Sequence, residues 1–326
     1  MSNLHNKPDE SYCFFGAKAL LERLRAFECE IDGVTKAEDI ECIHRMRVAS
    51  RRLRSAFRLF GECFNQKDIE HWQKQTKQIT KSLGSARDID VQIDFLREFI
   101  KELDDKRHIP GIKRLLFRLQ QKREKIQSKV ISSMVQLSDS GIIEQIAESC
   151  HIMSNIARLH QKDEHSISVY ENAYIQISLN LEKFLSYKEY INQPDKTDEL
   201  HAMRISAKRF RYTMEIFSPL YKDNLEKPIE AIKKIQTILG DFNDCVVWVN
   251  YLSQFIEEEY YRTLNYFGHT KSFSRLKTGI LYLQENRRKK QAEYYNSFVK
   301  YWSEISEKEV LNRLIKSISD YVIKKG

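Results

Sequence analysis

The sequence predicts an all-α fold of two helical bundles, related by internal duplication and a pseudo-two-fold axis, with a basic groove or pore between them. Apolar residues recur with helical period along almost the whole chain, and no segment shows the alternation of a strand. Ten glycines and five prolines in 326 residues are few, which favours long helices. A basic 17-residue segment, 44–60, returns as 201–217, and such self-similarity indicates repeated structural units.

Five helices are predicted in the first half of the chain. Thr35 and Glu38 have the spacing of a capping box, which predicts the start of the second helix. Gly61, Pro110 and Gly141 predict breaks between the others. These signals place the helices at about 10–31, 36–62, 66–104, 108–136 and 141–158.

A second series of five helices is predicted in the same order, at about 166–191, 197–218, 222–258, 270–302 and 307–323. The repeat extends beyond the basic segment, because Gly84 and Asp88 return as Gly240 and Asp244, 156 residues later. We expect both glycines to lie inside helices that approach another helix closely, and both acids to orient nearby arginines. The predicted bundles are residues 1–160 and 161–326.

The repeated basic segments are predicted to be amphipathic helices whose polar faces carry cations. At 100° per residue, the basic positions of the first copy fall within about 80° and extend about 21 Å. Met46, Leu53 and Phe60 lie on the opposite side. We call the two cationic faces the basic ladders; their positions are His44, Arg47, Arg51, Arg54 and Arg58 in the first copy, and His201, Arg204, Lys208 and Arg211 in the second.

A charged helix face is usually a solvated surface, which is the simplest interpretation of both ladders. Solvated faces normally mix acids with bases, because like charges at i,i+4 destabilise a helix. Six arginines and no acid lie between residues 44 and 60, and the second copy has no acid until Glu215. Arginine also suits bidentate recognition of phosphate or carboxylate. The pattern therefore favours binding, with Glu215 opposite Arg58 weakening one end of the groove.

Composition narrows the classes of partner. A net charge of +8 indicates a polyanionic partner. No apolar run approaches the length of a membrane span, and the N-terminus has no signal-peptide pattern, so we expect a cytoplasmic protein. Six scattered cysteines without a C-x-x-C pair predict reduced thiols rather than disulfides or a zinc site.

Weaker basic stripes lie outside the ladders. Each alone is typical of a solvated face, but beside the ladders each could extend the groove. Arg123 and Arg287 fall within apolar arcs, which predicts structural ion pairs, perhaps with an aspartate. The further candidate contacts are Lys77, Lys81, Arg118, Lys122, Lys125, Lys233 and Lys289.

The two ladder histidines could be metal ligands, nucleophiles or hydrogen-bond donors. Neither has a His, Cys or acid at i+3 or i+4, so no metal is predicted. The sequence has no phosphate loop and no carboxylate cluster for Mg²⁺, so neither catalysis nor a cofactor is predicted. Surrounded by arginines, each imidazole should be neutral and donate to an anion.

The motif His44-x-x-Arg47-x-x-x-Arg51-Arg52-x-Arg54, with Leu83-Gly84-x-x-Arg87-Asp88, resembles the conserved-histidine α-helical domain, the CHAD family. The second half carries the partner set, His201-x-x-Arg204-x-x-x-Lys208-Arg209-x-Arg211 and Leu239-Gly240. The resemblance implies two bundles around a basic pore or groove and binding of inorganic polyphosphate, in some members at polyphosphate granules. It also implies that the basic residues of these motifs contact the ligand.

The sequence therefore predicts non-catalytic binding of inorganic polyphosphate. The alternative is binding of RNA or DNA by the same surface, through release of counterions. Aromatic residues are not interleaved along the ladders, where base stacking would need them, so this alternative ranks second. The oligomeric state is not predicted.

Overall fold

A computed structural model describes residues 9–36 and 40–325, and these residues form α-helices joined by short turns and 3₁₀ segments, without a strand. The all-α prediction is confirmed. The helices of the described residues are α1 (Glu10–Glu28), α2 (Ile31–Lys36), α3 (Ile40–Phe60), α4 (Gln66–Lys101), α5 (Ile109–Asp139), α6 (Ile142–Leu159), α7 (Ile167–Leu185), α8 (Thr197–Phe217), α9 (Glu226–Phe267), α10 (Phe273–Glu307) and α11 (Val310–Lys325).

Several helix bounds differ from the predicted ones, among them those near the capping box and at the end of α9. Thr35 lies within the short helix α2, where its hydroxyl donates to the carbonyl of Ile31 at 2.8 Å, and Glu38 of the predicted capping box lies outside the described residues. Helix α9 continues to Phe267 rather than ending near residue 258. Its extension is held by the buried side chains of Glu259 and Thr263.

Helices α3 and α8, which carry the two ladders, pack against each other. Helix α3 also packs on α1 and α4, and α8 packs on α7 and α9. The long pairs α4–α5 and α9–α10 extend from this region, and α5 packs on α10. The ladders therefore lie where the two predicted halves meet.

The hydrophobic core is shared between the halves. Phe217 of α8 lies against Phe60 of α3, with ring centroids 6.0 Å apart, and stacks on Phe15 of α1 at 5.7 Å. A second buried cluster contains residues of α4, α5, α9 and α10, among them Leu96 and Leu252. The predicted division at residues 160/161 thus crosses continuous cores, and the internal duplication stays a prediction.

Two glycines allow α5 and α10 to cross closely. A Cβ atom on Gly111 would overlap the carbonyl oxygen of Leu276, and one on Gly279 would overlap the carbonyl oxygen of His108. Only glycine leaves room for backbone this near, so the crossing depends on both residues.

The prediction of six reduced cysteines is wrong for one pair. Cys13 of α1 and Cys63, just after α3, form a disulfide, with Cα atoms 5.3 Å apart. The packing of α1 on α3 brings together two residues that are 50 positions apart, and no sequence spacing reveals this. Cys29, Cys42, Cys150 and Cys245 are free thiols.

Among the described helices, none combines the length and apolar character needed to cross a lipid bilayer.

Candidate functional site

The two glycines of the repeat each lie beneath a ladder arginine. A Cβ atom on Gly84 would stand 3.4 Å from Nε of Arg47, and one on Gly240 would stand 3.3 Å from Nε of Arg204. Both glycines are inside helices, as predicted. A methyl group at either position would contact a guanidinium and not another helix backbone, so the prediction that these glycines mark a close helix approach is wrong.

Asp88 orients the first of these arginines, as predicted. Its Oδ1 accepts a hydrogen bond from Nη2 of Arg47 at 3.1 Å. Asp244 lies close enough to Arg204 for their charges to interact, although no ion pair joins them. The Nε atoms of Arg47 and Arg204 are both buried without a hydrogen-bond partner. Each of these half-buried arginines therefore keeps a buried, unused Nε–H donor.

A cleft of about 590 Å³ lies between α3, α4 and α8, and we call it the α3–α8 cleft. Its lining contains one acid, Glu70, and the polar or apolar residues Ser55, Gln73, Ile205 and Tyr212. Its basic residues are Arg51, Arg54 and Arg58 of α3, Lys74 and Lys77 of α4, and Lys208 and Arg209 of α8. Cations from the two halves of the chain thus share one concave surface.

The charges of this cleft are largely uncompensated. Three arginines of the basic segments 44–60 and 201–217 form ion pairs beside the cleft. Arg47 pairs with Asp88, and Arg52 and Arg211 both pair with Glu215. Five other basic residues of these segments line the cleft and form no ion pair with a described residue: Arg51, Arg54, Arg58, Lys208 and Arg209.

This crowding shifts the protonation of Lys208. Burial, followed by the charges of Arg51 and Arg204, lowers the pKa of Lys208 from 10.5 to about 7. Loss of hydration, followed by Arg209 and Arg54, lowers the pKa of Arg58 to about 10, which leaves it charged at neutral pH. Lys208 is therefore only partly protonated at pH 7 while the cleft holds no anion.

The two histidines lie outside the lining of the cleft. Burial lowers the pKa of His44, and the neighbouring Arg87 lowers it further, in the predicted direction. His201 is half-buried, and its Nδ1 atom is buried without a hydrogen-bond partner. The structure thus places both imidazoles on the ladder helices, but not among the cations of the cleft.

Residues 18–253 match a known protein family, described as the CHAD domain. This chain belongs to the CHAD domain family. Two uncharacterized proteins of Mycobacterium tuberculosis, MT2285 of strain CDC 1551 / Oshkosh and Rv2226 of strain ATCC 25618 / H37Rv, are each 25% identical to this chain over 226 residues. The match covers 68% of this chain but 42% of those relatives, so this chain spans less than half of their length.

Solved structures share the CHAD fold. The crystal structure of the CHAD domain from the plant Ricinus communis has a TM-score of 0.64 at 20% identity, covering 92% of this chain and 95% of that one. PptA from Streptomyces chartreusis has a TM-score of 0.55 at 12% identity, covering 89% and 98%. At these identities the likeness shows the fold alone.

The structure brings only some of the predicted contacts of this CHAD domain into the α3–α8 cleft. Arg47, Arg52 and Arg211 are held by carboxylates, and Arg204 lies over Gly240. The predicted residues that line the α3–α8 cleft are Arg51, Arg54, Arg58, Lys77, Lys208 and Arg209.

Helix α5 does not extend this cleft. Arg118 donates from Nε to Glu259 of α9 at 2.8 Å, and it lines a separate cleft of about 600 Å³ with Arg114 and Arg262. Arg114 and Arg118 of α5 both pair with Glu259, which lies on the extension of α9 that the sequence did not predict. Lys122 lies over the ring of Tyr251, 6.0 Å from its centroid. Four other predicted contacts are exposed and do not line the α3–α8 cleft: Lys81, Lys125, Lys233 and Lys289.

The ion pair predicted for Arg123 is confirmed, because its Nε lies 2.7 Å from Oδ1 of Asp90. The same prediction is wrong for Arg287, which lies over the ring of Phe95 at 4.4 Å and donates to Asn286. The residue that the repeat aligns with Asp90 is Val246, so the second half lacks the acid.

Sequence reasoning missed Lys74, Ser55 and Tyr212 as lining residues. Lys74 precedes Lys77 by three residues on α4, so helical spacing could have found it. Tyr212 carried no such signal. It is 5% exposed, and the guanidinium of Arg211 lies 4.8 Å from its ring centroid.

Proposed function

We propose that this CHAD domain binds inorganic polyphosphate in the α3–α8 cleft without catalysing a reaction. The observation that carries the proposal is the convergence of five basic residues without ion pairs, Arg51, Arg54, Arg58, Lys208 and Arg209, on one concave surface. The family membership is consistent with this function.

The charge distribution favours a polyanion over a single anion. Like charges held together raise the free energy of the unliganded protein, and an anion removes that repulsion. One phosphate can reach only some of the lining cations, whereas a linear chain of phosphates can contact cations along the whole cleft. Arginine offers such a chain bidentate, charge-assisted hydrogen bonds.

The lining residues do not suggest a reaction. Glu70 is the one carboxylate among them, and no histidine or cysteine lines the cleft to act as base or nucleophile. In the described part of the chain, no group of three or more His, Cys, Asp or Glu residues could hold a metal ion. Binding alone accounts for the residues present.

Nucleic acid remains the competing ligand, and the aromatic content of the cleft argues against it. Tyr212 is the one aromatic residue of the lining, and it is too buried to stack on a base. Single-strand binding normally combines a basic groove with exposed aromatic rings. A phosphate polymer without bases needs only the basic and polar groups that line this cleft.

Competition binding tests the proposal. Fluorescently labelled long-chain polyphosphate is bound to the protein, and unlabelled polyphosphate, single-stranded RNA and orthophosphate are titrated against it at fixed salt. We expect displacement by polyphosphate at far lower phosphate concentration than by RNA or orthophosphate. Stronger displacement by RNA would favour the nucleic-acid function, and release of phosphate in the presence of Mg²⁺ would show catalysis.

The proposal extends to location. We place the protein in the cytoplasm at polyphosphate granules, because a binder of the polymer concentrates where the polymer does. A fluorescent fusion should follow a polyphosphate stain. The variant with Arg51, Arg54 and Arg209 replaced by Ala should be diffuse, and retention of that variant at granules would refute recruitment through the cleft.

A further inference from the structure

The two halves present different charges at positions that the repeat aligns. At an offset of 157 residues, Arg54 aligns with Arg211 and Arg52 aligns with Arg209. One aligned position reverses its charge, because Glu215 stands where the first copy has Arg58. The contacts of these residues differ accordingly.

Glu215 binds two arginines, one from each half. Its Oε1 lies 2.9 Å from Nη1 of Arg211, and its Oε2 lies 3.2 Å from Nη2 of Arg52. Gln236 completes the arrangement by accepting from Nε of Arg211 at 3.0 Å. The carboxylate, with 20% of its side chain exposed, therefore bridges the guanidiniums with its two oxygens, as a bound phosphate would.

The aligned position on the other side has no such acid. Arg58 lies close enough to Arg209 and Arg54 for their positive charges to repel it. Its Nη2 donates to the hydroxyl of Ser55 at 3.0 Å, a neutral partner. Arg54, Arg58 and Arg209 all line the α3–α8 cleft, whereas Arg52, Arg211 and Glu215 do not.

We infer that Glu215 is an internal counter-ion that confines the polyanion to the side of the α3–α8 pair formed by Arg54, Arg58 and Arg209. This inference rests on the proposed function and adds to it a residue that determines where the ligand binds. A phosphate entering the opposite side would have to displace the hydrogen bond between Arg211 and Glu215 and the ion pair between Arg52 and Glu215, and it would approach a carboxylate. Arg52 and Arg211 match the family motif, yet in this chain they are not ligand contacts.

Paired substitutions at aligned positions test the inference. Polyphosphate affinity is measured for Arg209→Ala against Arg52→Ala, two side chains aligned by the repeat. Loss of one charge-assisted contact, partly compensated by a shift of the polymer, should weaken binding about five- to tenfold for Arg209→Ala. Arg52→Ala should change it less than about twofold, since that arginine is already neutralised.

A double-mutant cycle supplies the second measurement. Glu215→Gln should release Arg52 and Arg211, tighten polyphosphate binding about tenfold, and steepen the slope of log K against log salt by up to about 2. In this background Arg52→Ala should become as damaging as Arg209→Ala is in the natural protein. The matched control is Glu98→Gln, which removes the same charge from an exposed pair with Lys101.

Four outcomes decide the matter. Selective gain with Glu215→Gln, and an Arg52→Ala effect that appears only in that background, support the inference. Equal losses with Arg52→Ala and Arg209→Ala in the natural protein overturn it and leave the proposed function standing. Equal gains with Glu215→Gln and Glu98→Gln overturn it too, because net charge then explains both. Absence of polyphosphate binding by the natural protein refutes the proposed function and this inference together. Arg52 is 46% exposed, and circular dichroism verifies that each variant folds.

Discussion

Binding of a polyanion should be coupled to protonation of Lys208. In the unliganded cleft the pKa of Lys208 is about 7, against an ordinary value of 10.5, because of burial and the charges of Arg51 and Arg204. A phosphate chain replaces that positive surrounding with negative charge, so the pKa of the bound form should return toward 10.5. Binding should then take up a fraction of a proton per protein near pH 7 and close to one proton at pH 8 to 9.

The same linkage sets the sign and size of the pH dependence. Each unit of pH above 7 should weaken polyphosphate binding by up to about tenfold, and the effect should fade below pH 6, where Lys208 is protonated in both states. Isothermal titration calorimetry in buffers of different ionisation enthalpy measures the proton uptake directly. Long-chain polyphosphate is the appropriate ligand, because its internal phosphates do not titrate in this range.

Lys208→Arg is the matched variant, since it keeps the charge but holds its proton throughout this range. It should bind polyphosphate with little pH dependence between pH 7 and 9. The unliganded protein provides an opposite check. Between pH 7 and the ordinary thiol pKa of 9.0, the unfolded chain binds more protons at Lys208, so the natural protein should gain stability relative to Lys208→Arg as pH rises. Identical proton uptake by the natural protein and Lys208→Arg would refute this reasoning.

Three further outcomes are expected. The triple variant replaces Arg51, Arg54 and Arg209 of the cleft by Ala. It should bind polyphosphate about 100- to 1,000-fold more weakly and with a flatter salt dependence, whereas charge reversal at the exposed Lys308 should weaken binding far less. Equal losses in fluorescence titrations would show that net charge alone binds the ligand. Gly111→Ala should lower the free energy of unfolding by about 1–3 kcal/mol or more, because it forces α5 away from α10, while Gly84→Ala should be nearly neutral. Thermal denaturation measures both, and an equal effect would contradict the close crossing. Cys63→Ser should lower the free energy of unfolding by about 2–4 kcal/mol through loss of a 50-residue cross-link, an effect that urea denaturation measures and that added reductant should reproduce in the natural protein.

The sequence predicted the site best where the chemistry is local to one helix. The ladders on α3 and α8 follow from helical spacing within single segments, and Asp88 and Gly84 follow from their fixed distance to the basic segment. Arg118 shows where this reasoning fails. Its helical stripe looked continuous with the ladders, yet its partner is Glu259, 141 residues away on a helix extension that the sequence did not predict.

By itself the sequence determined the all-helical fold, the paired basic helices and the family. Helical period, cation spacing and the repeated motif can each be recognised from residues that are close together in the chain. Only the tertiary structure decided which cations are available. The packing of α3 on α8 places Glu215 against Arg52 and leaves Arg58 facing Arg209, and the packing of α1 on α3 joins Cys13 to Cys63. These outcomes depend on distances between residues far apart in the chain, since an electrostatic interaction or a disulfide requires proximity in space that helical period does not encode.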